Sequence, residues 1–247
     1  PDLYLDRVAG PNALYRNAGE WKFENVAAAA GVELADRPST GAVFADLDGD
    51  GDQDLIVTAM GGRNSLLEND GTGRFRDVTA TSGFVAEDRG STSATVADVD
   101  GDGDLDLYVA NYKAKTMLDS LSPQDRAFDQ LVRQADGRWE IASALADNYR
   151  VVLREDIRGV SVVQRADPDW FYLNDGTGHF VREPLAANPR FRDETGAMLT
   201  REPDDFGLAA RFVDLNADGA PDLYVANDFE DPDQLWINDG HGNFRLI

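Results

Sequence analysis

Three segments decide the fold: DLDGDGDQDLIVTA from Asp46, DVDGDGDLDLYVAN from Asp98, and DLNADGAPDLYVAN from Asp214, which align without gaps. A second motif follows each of them, LEND-GTGRF, LNDGTGHF and INDGHGNF, led by Asn69, Asn174 and Asn238. Phenylalanine falls six residues after each asparagine, at Phe75, Phe180 and Phe244, and Asn17 with Phe23 gives a fourth copy. Asn17 to Asn69, Asp46 to Asp98 and Asp2 to Asp54 are each 52 residues apart. Such a fixed period is the signature of a repeat architecture.

Around each acidic loop the sequence reads as four short strands. In the second repeat GAVFAD precedes the loop, DLIVTAM follows it, NSLLEN comes next, and RFRDVT follows the Asn-Asp-Gly turn. Units of four strands and about 40–50 residues predict an all-β fold, a partial β-propeller of four-stranded blades. The expected divisions are a partial blade at 1–36, a blade at 37–86, a blade at 87–186 interrupted by an insertion at 112–169, and a blade at 206–247. The insertion is expected to mix helix and hairpin. Ser122-Pro123 before RAFDQLVRQ predicts a short capped helix, and YRVVLRE with GVSVVQR predicts a hairpin. A smaller insertion, Pro184 to Asp205, separates the last two blades. Pro1-Asp2-Leu3-Tyr4 matches Pro221-Asp222-Leu223-Tyr224, so the register predicts that the segment opens at the tail of a loop and belongs to a longer protein.

Composition narrows the function. Of 247 residues, 46 are acidic and 23 basic, a formal charge of −23 that disfavours nucleic acid and anionic membranes. There are no cysteines, which removes disulfides and thiolate metal sites. No apolar run approaches the roughly 20 residues of a membrane-spanning helix.

The aspartates are placed, not scattered. In the first loop Asp46, Asp48, Asp50 and Asp54 occupy positions 1, 3, 5 and 9, with glycines at 4 and 6 that let the loop curl. The second loop repeats this with Asp98, Asp100, Asp102 and Asp106, and the third with Asp214, Asn216, Asp218 and Asp222. Position 7 is Asp52, Asp104 and Ala220, and the tolerance of alanine predicts that this residue offers its backbone carbonyl. Carboxylates this close repel one another without a cation, and hard oxygen donors on a flexible loop suit Ca²⁺ better than Mg²⁺. Three complete calcium sites are expected, with a fourth truncated at Asp2. An EF-hand needs glutamate at position 12, where this chain has Val57, Val109 and Val225.

These loops and blades resemble the FG-GAP repeats of integrin α-chain propellers and the related VCBS repeats. Val225-Ala-Asn227-Asp228-Phe229, then Leu235-Trp-Ile-Asn238-Asp-Gly, and the segment PDWFYLNDGTGHF are similar to repeat proteins of the ASPIC/UnbV, cartilage acidic protein-like group. The resemblance implies a calcium-stiffened propeller, of seven blades, that binds ligands on the face opposite its metal loops.

The expected function is an extracellular recognition or adhesion module for a protein or glycan, secreted, periplasmic or on the cell surface. A calcium-dependent polysaccharide lyase or hydrolase is the alternative. His179 and His241 sit in the Gly-rich turns and carry no expected catalytic role. Trp236, Tyr172, Tyr15 and Leu67, two residues before each turn asparagine, are expected in the core between blades. Trp139 and Trp170 lie in or beside the insertion and are candidates for touching a ligand. Asp228, Glu230, Asp231 and Asp233 read as a solvated loop. Arg126, Arg133, Arg138, Arg150, Arg154, Arg158 and Arg165 make the insertion a candidate surface for an acidic partner, unless they pair with neighbours such as Glu155 and Asp156.

Overall fold

A computed structural model describes residues 2–84, 87–154, 159–228 and 231–247. Pro1, Glu155, Asp156, Arg158, Phe229 and Glu230 of the sequence reading lie outside the described residues.

The chain is nearly all β, a curled partial propeller. It begins with the antiparallel strands β1 (Leu3–Leu5), β2 (Ala13–Asn17) and β3 (Phe23–Asn25), then a single helical turn, α1 (Ala27–Ala30). Gly31 ends that turn in the left-handed conformation, at φ 80°. The next unit runs β4 (Ser39–Ala45), β5 (Asp54–Gly62), β6 (Ser65–Asn69), β7 (Phe75–Asp77), each antiparallel to its neighbour. The third unit is opened by β8 (Arg89–Ala97) and β9 (Asp106–Asn111).

Between β9 and its partner lie α2 (Met117–Ser120), α3 (Phe128–Leu131), the hairpin β10 (Val132–Ala135) with β11 (Arg138–Ile141), and the hairpin β12 (Tyr149–Arg154) with β13 (Gly159–Gln164). The second hairpin is the one expected from YRVVLRE and GVSVVQR. The helix differs from expectation: α3 starts at Phe128 and stops after one turn, because Val132 onward pairs with β11 instead. Ser122 hydrogen-bonds to Asp125 in a turn and caps no helix.

The third unit closes with β14 (Trp170–Asn174) and β15 (Phe180–Glu183). A two-residue strand, β16 (Phe191–Arg192), precedes the last unit, β17 (Gly207–Val213), β18 (Asp222–Asn227), β19 (Gln234–Asn238) and β20 (Phe244–Leu246). β16 pairs parallel with β20 and adds a fifth strand on its outer edge.

Both faces of a middle unit are covered by its neighbours. Along β5, Leu55 and Val57 pack with Leu14, Ala27 and Val32 of the first unit, while Ile56 points the other way toward Trp170 and Tyr172. Along β9, Leu107 and Val109 face the second unit, and Tyr108 and Ala110 face the last one with Phe171, Phe191 and Trp236. The period-2 alternation of a strand thus feeds two different cores, which is why these strands read as continuous apolar runs. Trp236, Tyr172 and Leu67 are buried as expected, whereas Tyr15 is only half-buried. Trp170 is 1% exposed and lies in the core, so it is no ligand-binding candidate.

The first strands of adjacent units run close together and carry small or hydroxyl side chains. Thr95 Oγ1 accepts the Phe212 amide, Ser93 Oγ that of Ala210, and Thr92 Oγ1 donates to Gly207 O. A Cβ on Gly41 would come within 3.1 Å of Thr92 O, so glycine lets the strands approach without a tight contact there.

One residue caps the link between second and third strands in every unit. Asn12 Oδ1 accepts the Arg7 amide, Asn64 Oδ1 that of Ala59, Asp169 Oδ1 that of Asn111, and Asp233 Oδ1 that of Asn227. Asn12 Nδ2 donates to the Tyr4 hydroxyl, whereas Asp169 and Asp233 accept from the hydroxyls of Tyr108 and Tyr224.

Asp169 is the buried acid of this set. Burial pushes its carboxyl up to about 7, with Asp205 adding to the shift and the Tyr108 and Asn111 hydrogen bonds opposing it. An acid whose folded pKa is raised binds more protons when folded, so its contribution is favourable near pH 4 and is lost as pH rises toward 7. Asp169→Asn should therefore match the parent in melting temperature near pH 4 and exceed it increasingly up to pH 8. Asn12 shows that asparagine can hold this position beside a tyrosine. Thermal melts across pH 4–8 check this, and a parallel offset at every pH would contradict it.

Candidate metal centre

The loops joining first to second strands and the Asn-Gly turns joining third to fourth strands share one face of the molecule. Position 1 organises each loop from within. Asp46 accepts the amides of Gly49 and Gly51, Asp98 those of Gly101 and Gly103, and Asp214 those of Asp218 and Gly219.

Position 9 ties the loop to the turn. Asp54 accepts the Leu47 amide with Oδ2 and the Asn69 amide with Oδ1. Asp106 does the same with Val99 and Asn174, and Asp222 with Leu215 and Asn238, all at 2.9–3.2 Å. Asp2 accepts the Asn17 amide. The turn asparagine then reaches the preceding unit: Asn174 Nδ2 donates to Leu47 O, and Asn238 Nδ2 donates to Val99 O.

Position 7 turns its side chain toward the turn of its own unit. A Cβ on Gly176 would sit 2.6 Å from Asp104 Oδ2, and one on Gly240 would sit 3.8 Å from the Ala220 methyl.

The loops are not equal. Carboxylate oxygens of Asp46, Asp48 and Asp50 lie within 4.8 Å of one another, as do those of Asp98, Asp100 and Asp106. The third loop makes no such cluster among the described residues. Asn216 Nδ2 instead donates to Asp218 Oδ2 at 2.8 Å, and Asp214, Asn216 and Asp218 are exposed. The reason is coverage. The turn of the following unit packs on position 3 of the first two loops, with Gly178 against Asp48 and Gly242 against Asp100, and no described segment does this for Asn216.

Coverage also shifts the acids. Burial, then the neighbouring carboxylates, hold Asp48 and Asp100 above the ordinary aspartate value, with Arg190 opposing at Asp100. Burial raises Asp54 to about 6 and Asp106 to about 7 against the pull of their amide partners. Oδ1 of Asp52 and Oδ1 of Asp100 are buried with no hydrogen-bond partner. Crowded acids and orphaned oxygens are the donor set that a hard cation satisfies. Asp46, Asp48, Asp50, Asp98, Asp100 and Asp106 are thus the side chains placed to hold one. Asp52 and Asp104 back the loops from the turn side, while Asp54 doubles as latch and neighbour.

On the opposite face, charged groups that the sequence reading left in solvent meet one another. Asp231, nearly buried, pairs with Arg150, Asp204 pairs with Arg165, and Asp228 accepts the Tyr112 hydroxyl at 2.7 Å. Asp233 belongs to the capping set, so the described members of the acidic run are structural and not a solvated loop. Arg133 pairs with Glu140 at 3.4 Å. The 184–205 segment does more than separate the last two units. It returns to the acidic-loop face, where Arg190 reaches Asp100 and the turn at His241 and Gly242.

With this geometry in place, comparison with known proteins gives a consistent relationship. Residues 1–57 and 46–109 match the FG-GAP-like repeat family, so this part of the chain carries FG-GAP-like repeats. The chain is 33% identical over 113 residues to cartilage acidic protein 1 of Homo sapiens, a stretch that covers 44% of this chain and 17% of that protein. It is 31% identical to the same-named proteins of Xenopus tropicalis, over 113 residues, and Mus musculus, over 118 residues. The chain therefore spans less than a fifth of the length of these relatives.

Ala217 gives a direct test of loop strain. It occupies position 4 at φ 63°, where Gly49 and Gly101 stand at φ 75° and 82°. A non-glycine residue held there costs about 1 kcal/mol or more. Ala217→Gly should stabilise the fold by about 1 kcal/mol and raise the melting temperature by about 2–4 °C. Calorimetry checks this, and a lowered melting temperature would show that the alanine methyl contributes packing that outweighs its strain.

Proposed function

We propose that this chain is a calcium-binding segment of an FG-GAP-type propeller, acting outside the cytoplasm to recognise a protein or glycan with the face opposite its acidic loops. The observation that carries the metal half is the pairing of clustered carboxylates with buried, unpartnered oxygens at Asp52 and Asp100. Bound calcium would neutralise these loops and tie each to the turn packed against it.

The recognition half rests on the 112–169 segment. Connections in compact domains usually run about 4–6 residues, and long ones on a rigid scaffold are often functional. This segment holds 9 basic and 10 acidic residues, whereas the remainder of the chain holds 14 and 36. It is therefore the part of the molecule least repulsive to an acidic partner. Among the described residues Arg126 and Arg138 make no ion pair, and Phe128 and Trp139 stack edge-on beside them at 5.5 Å, both more than two-fifths exposed. No helix among the described residues is long and apolar enough to cross a membrane.

A second reading, a polysaccharide-active enzyme, draws on the gathering of Arg150, Arg165, Tyr112, Asp204, Asp228 and Asp231 on the same face. These groups already pair with one another, Arg150 with Asp231, Arg165 with Asp204 and Tyr112 with Asp228, which favours recognition, although Arg150 Nε, Asp204 Oδ1 and Asp231 Oδ2 are buried without a hydrogen-bond partner. Turnover of uronic-acid polymers would reverse that preference.

Chelation tests the metal half. A ligand that binds only the folded state adds about 2.7 kcal/mol per site at a hundredfold excess over its Kd. A chelator should lower the melting temperature by several degrees, and magnesium should restore little of it. The Asp214 loop should empty first, and Asn216→Asp should tighten it. An unchanged melt in chelator would end the metal reading.

Excision tests the other half. Gln164 holds the neck of the insertion, donating to Lys115 O and accepting the Met117 amide. Replacing residues 117–163 with a short Gly-containing turn keeps the Lys113–Asp167 and Arg165–Asp204 pairs and both clustered loops. The shortened chain should fold and bind calcium, while losing whatever acidic-glycan or extracellular-protein binding the parent shows on an array. Equal binding by both chains would place the ligand surface elsewhere.

A further inference from the structure

The two four-carboxylate loops are interchangeable in sequence but not in surroundings. We propose that Arg190 is a built-in counter-cation of the second loop, and that it holds the calcium affinity of that loop below that of the loop at Asp46. This rests on the calcium reading above and concerns a residue that lies 84 or more positions from either end of that loop.

Arg190 is fixed from its backbone outward. Its amide donates to Asn188 Oδ1, its carbonyl accepts the Phe244 amide, and the next two residues are β16, paired with β20. The guanidinium is therefore delivered to one place. Nη1 donates to His241 O at 3.0 Å and to Gly242 O at 3.3 Å, and Nη2 lies 3.5 Å from Asp100 Oδ2. Only a glycine at 242 leaves the room, since a Cβ there would come within 3.0 Å of Asp100 Cβ and 2.5 Å of Arg190 Nη1. Asp100 is also one of the three carboxylates of the second cluster. A guanidinium cannot lose its charge in a protein, so this cation is present at every pH.

The matching place beside the first loop is built differently. Gly178 packs on Asp48 just as Gly242 packs on Asp100, but next to it is a cavity of about 240 Å³ lined by Asp48, Glu68, Arg76 and His179. Arg76 is engaged by Glu68 at 2.9 Å, and no described cation pairs with Asp48. The first loop thus keeps its full negative charge for an incoming ion. The second must share Asp100 with a fixed positive charge, which repels a divalent ion and competes for the oxygen. Affinity at oxygen sites follows ligand charge, so the second loop should bind about tenfold more weakly.

Calcium titration calorimetry on single-loop chains tests this. One chain keeps the Asp46 loop, with Asp100→Asn, Asp102→Asn and Asp218→Asn silencing the others. A second keeps the Asp98 loop, with Asp48→Asn, Asp50→Asn and Asp218→Asn. With Arg190 in place, the Asp46 loop should bind about tenfold more tightly. Adding Arg190→Gln to the second chain should close most of that gap, whereas Arg190→Lys, which keeps the charge, should leave it open. The loop-to-loop comparison needs no change at Arg190 and so decides the matter even where that variant is unstable. Equal affinities in the two chains would overturn the role of Arg190 while leaving calcium binding intact. Absence of calcium binding in both would overturn the calcium reading and this inference with it.

Discussion

Asp106 accepts the Val99 amide with one carboxylate oxygen and the Asn174 amide with the other, and that double acceptance is the joint on which each unit is built. It ties the first loop of a four-stranded unit to its last turn. The turn asparagine then passes the tie onward, since Asn174 Nδ2 reaches Leu47 O of the preceding unit. Loop, turn and neighbouring loop are therefore one hydrogen-bonded chain that repeats at Asp222–Asn238, while at Asp54–Asn69 the loop-to-turn tie repeats and Asn69 Nδ2 donates to Gln53 O of its own loop. The two amides offset part of the burial penalty on this carboxyl, and removing it would orphan two backbone donors at once.

This joint explains why the chain can hold so many acids. Four-stranded antiparallel sheets stack here through alternate residues of their second strands, so every unit must meet its neighbours face to face. The acidic loops sit at the rim of those contacts, where the turn of the next unit presses on position 3. Burial there raises the aspartates above their ordinary range and leaves oxygens of Asp52 and Asp100 unpartnered. The same crowding that a bare protein tolerates poorly is what a hard cation would relieve. Packing between units and the proposed ion binding would then be two uses of one geometry, because the residues that close the unit interface also define the loop.

Much of this was legible in the sequence because it repeats. The 52-residue period, the loop spacing and the turn asparagines marked the strands and their order. The latch at position 9 was hidden there, since spacing alone does not separate a carboxylate that holds amides from one that holds metal. What did not repeat was read less well. Trp170 looked available for a ligand because it borders the insertion, yet it is the first residue of β14 and packs into the core with Tyr172. Asp228, Asp231 and Asp233 looked solvated because their partners, Tyr112, Arg150 and Tyr224, are brought to them by the fold. The turn α1 had a local signal, four alanines followed by Gly31, while β16 had none. Two residues pairing parallel to an edge strand leave no period to detect.

The three loops show how far a repeated sequence determines its chemistry. The Asp46 and Asp98 loops share all five aspartates, and both are covered by a following turn, yet one faces a cavity and the other a guanidinium. The Asp214 loop differs by Asn216 and Ala217, and it also lacks cover among the described residues. Its asparagine amide turns inward to Asp218, where the first two loops present only acceptors. Substitution and exposure act in the same direction there, weakening the claim of that loop on a cation. Between the first two loops substitution plays no part. Their difference comes from an irregular connection, 184–205, that leaves the repeat, crosses to the acidic face and returns along the outer edge of the last unit. The repeat supplies identical donors, and the non-repeating chain between units decides how much charge each set keeps.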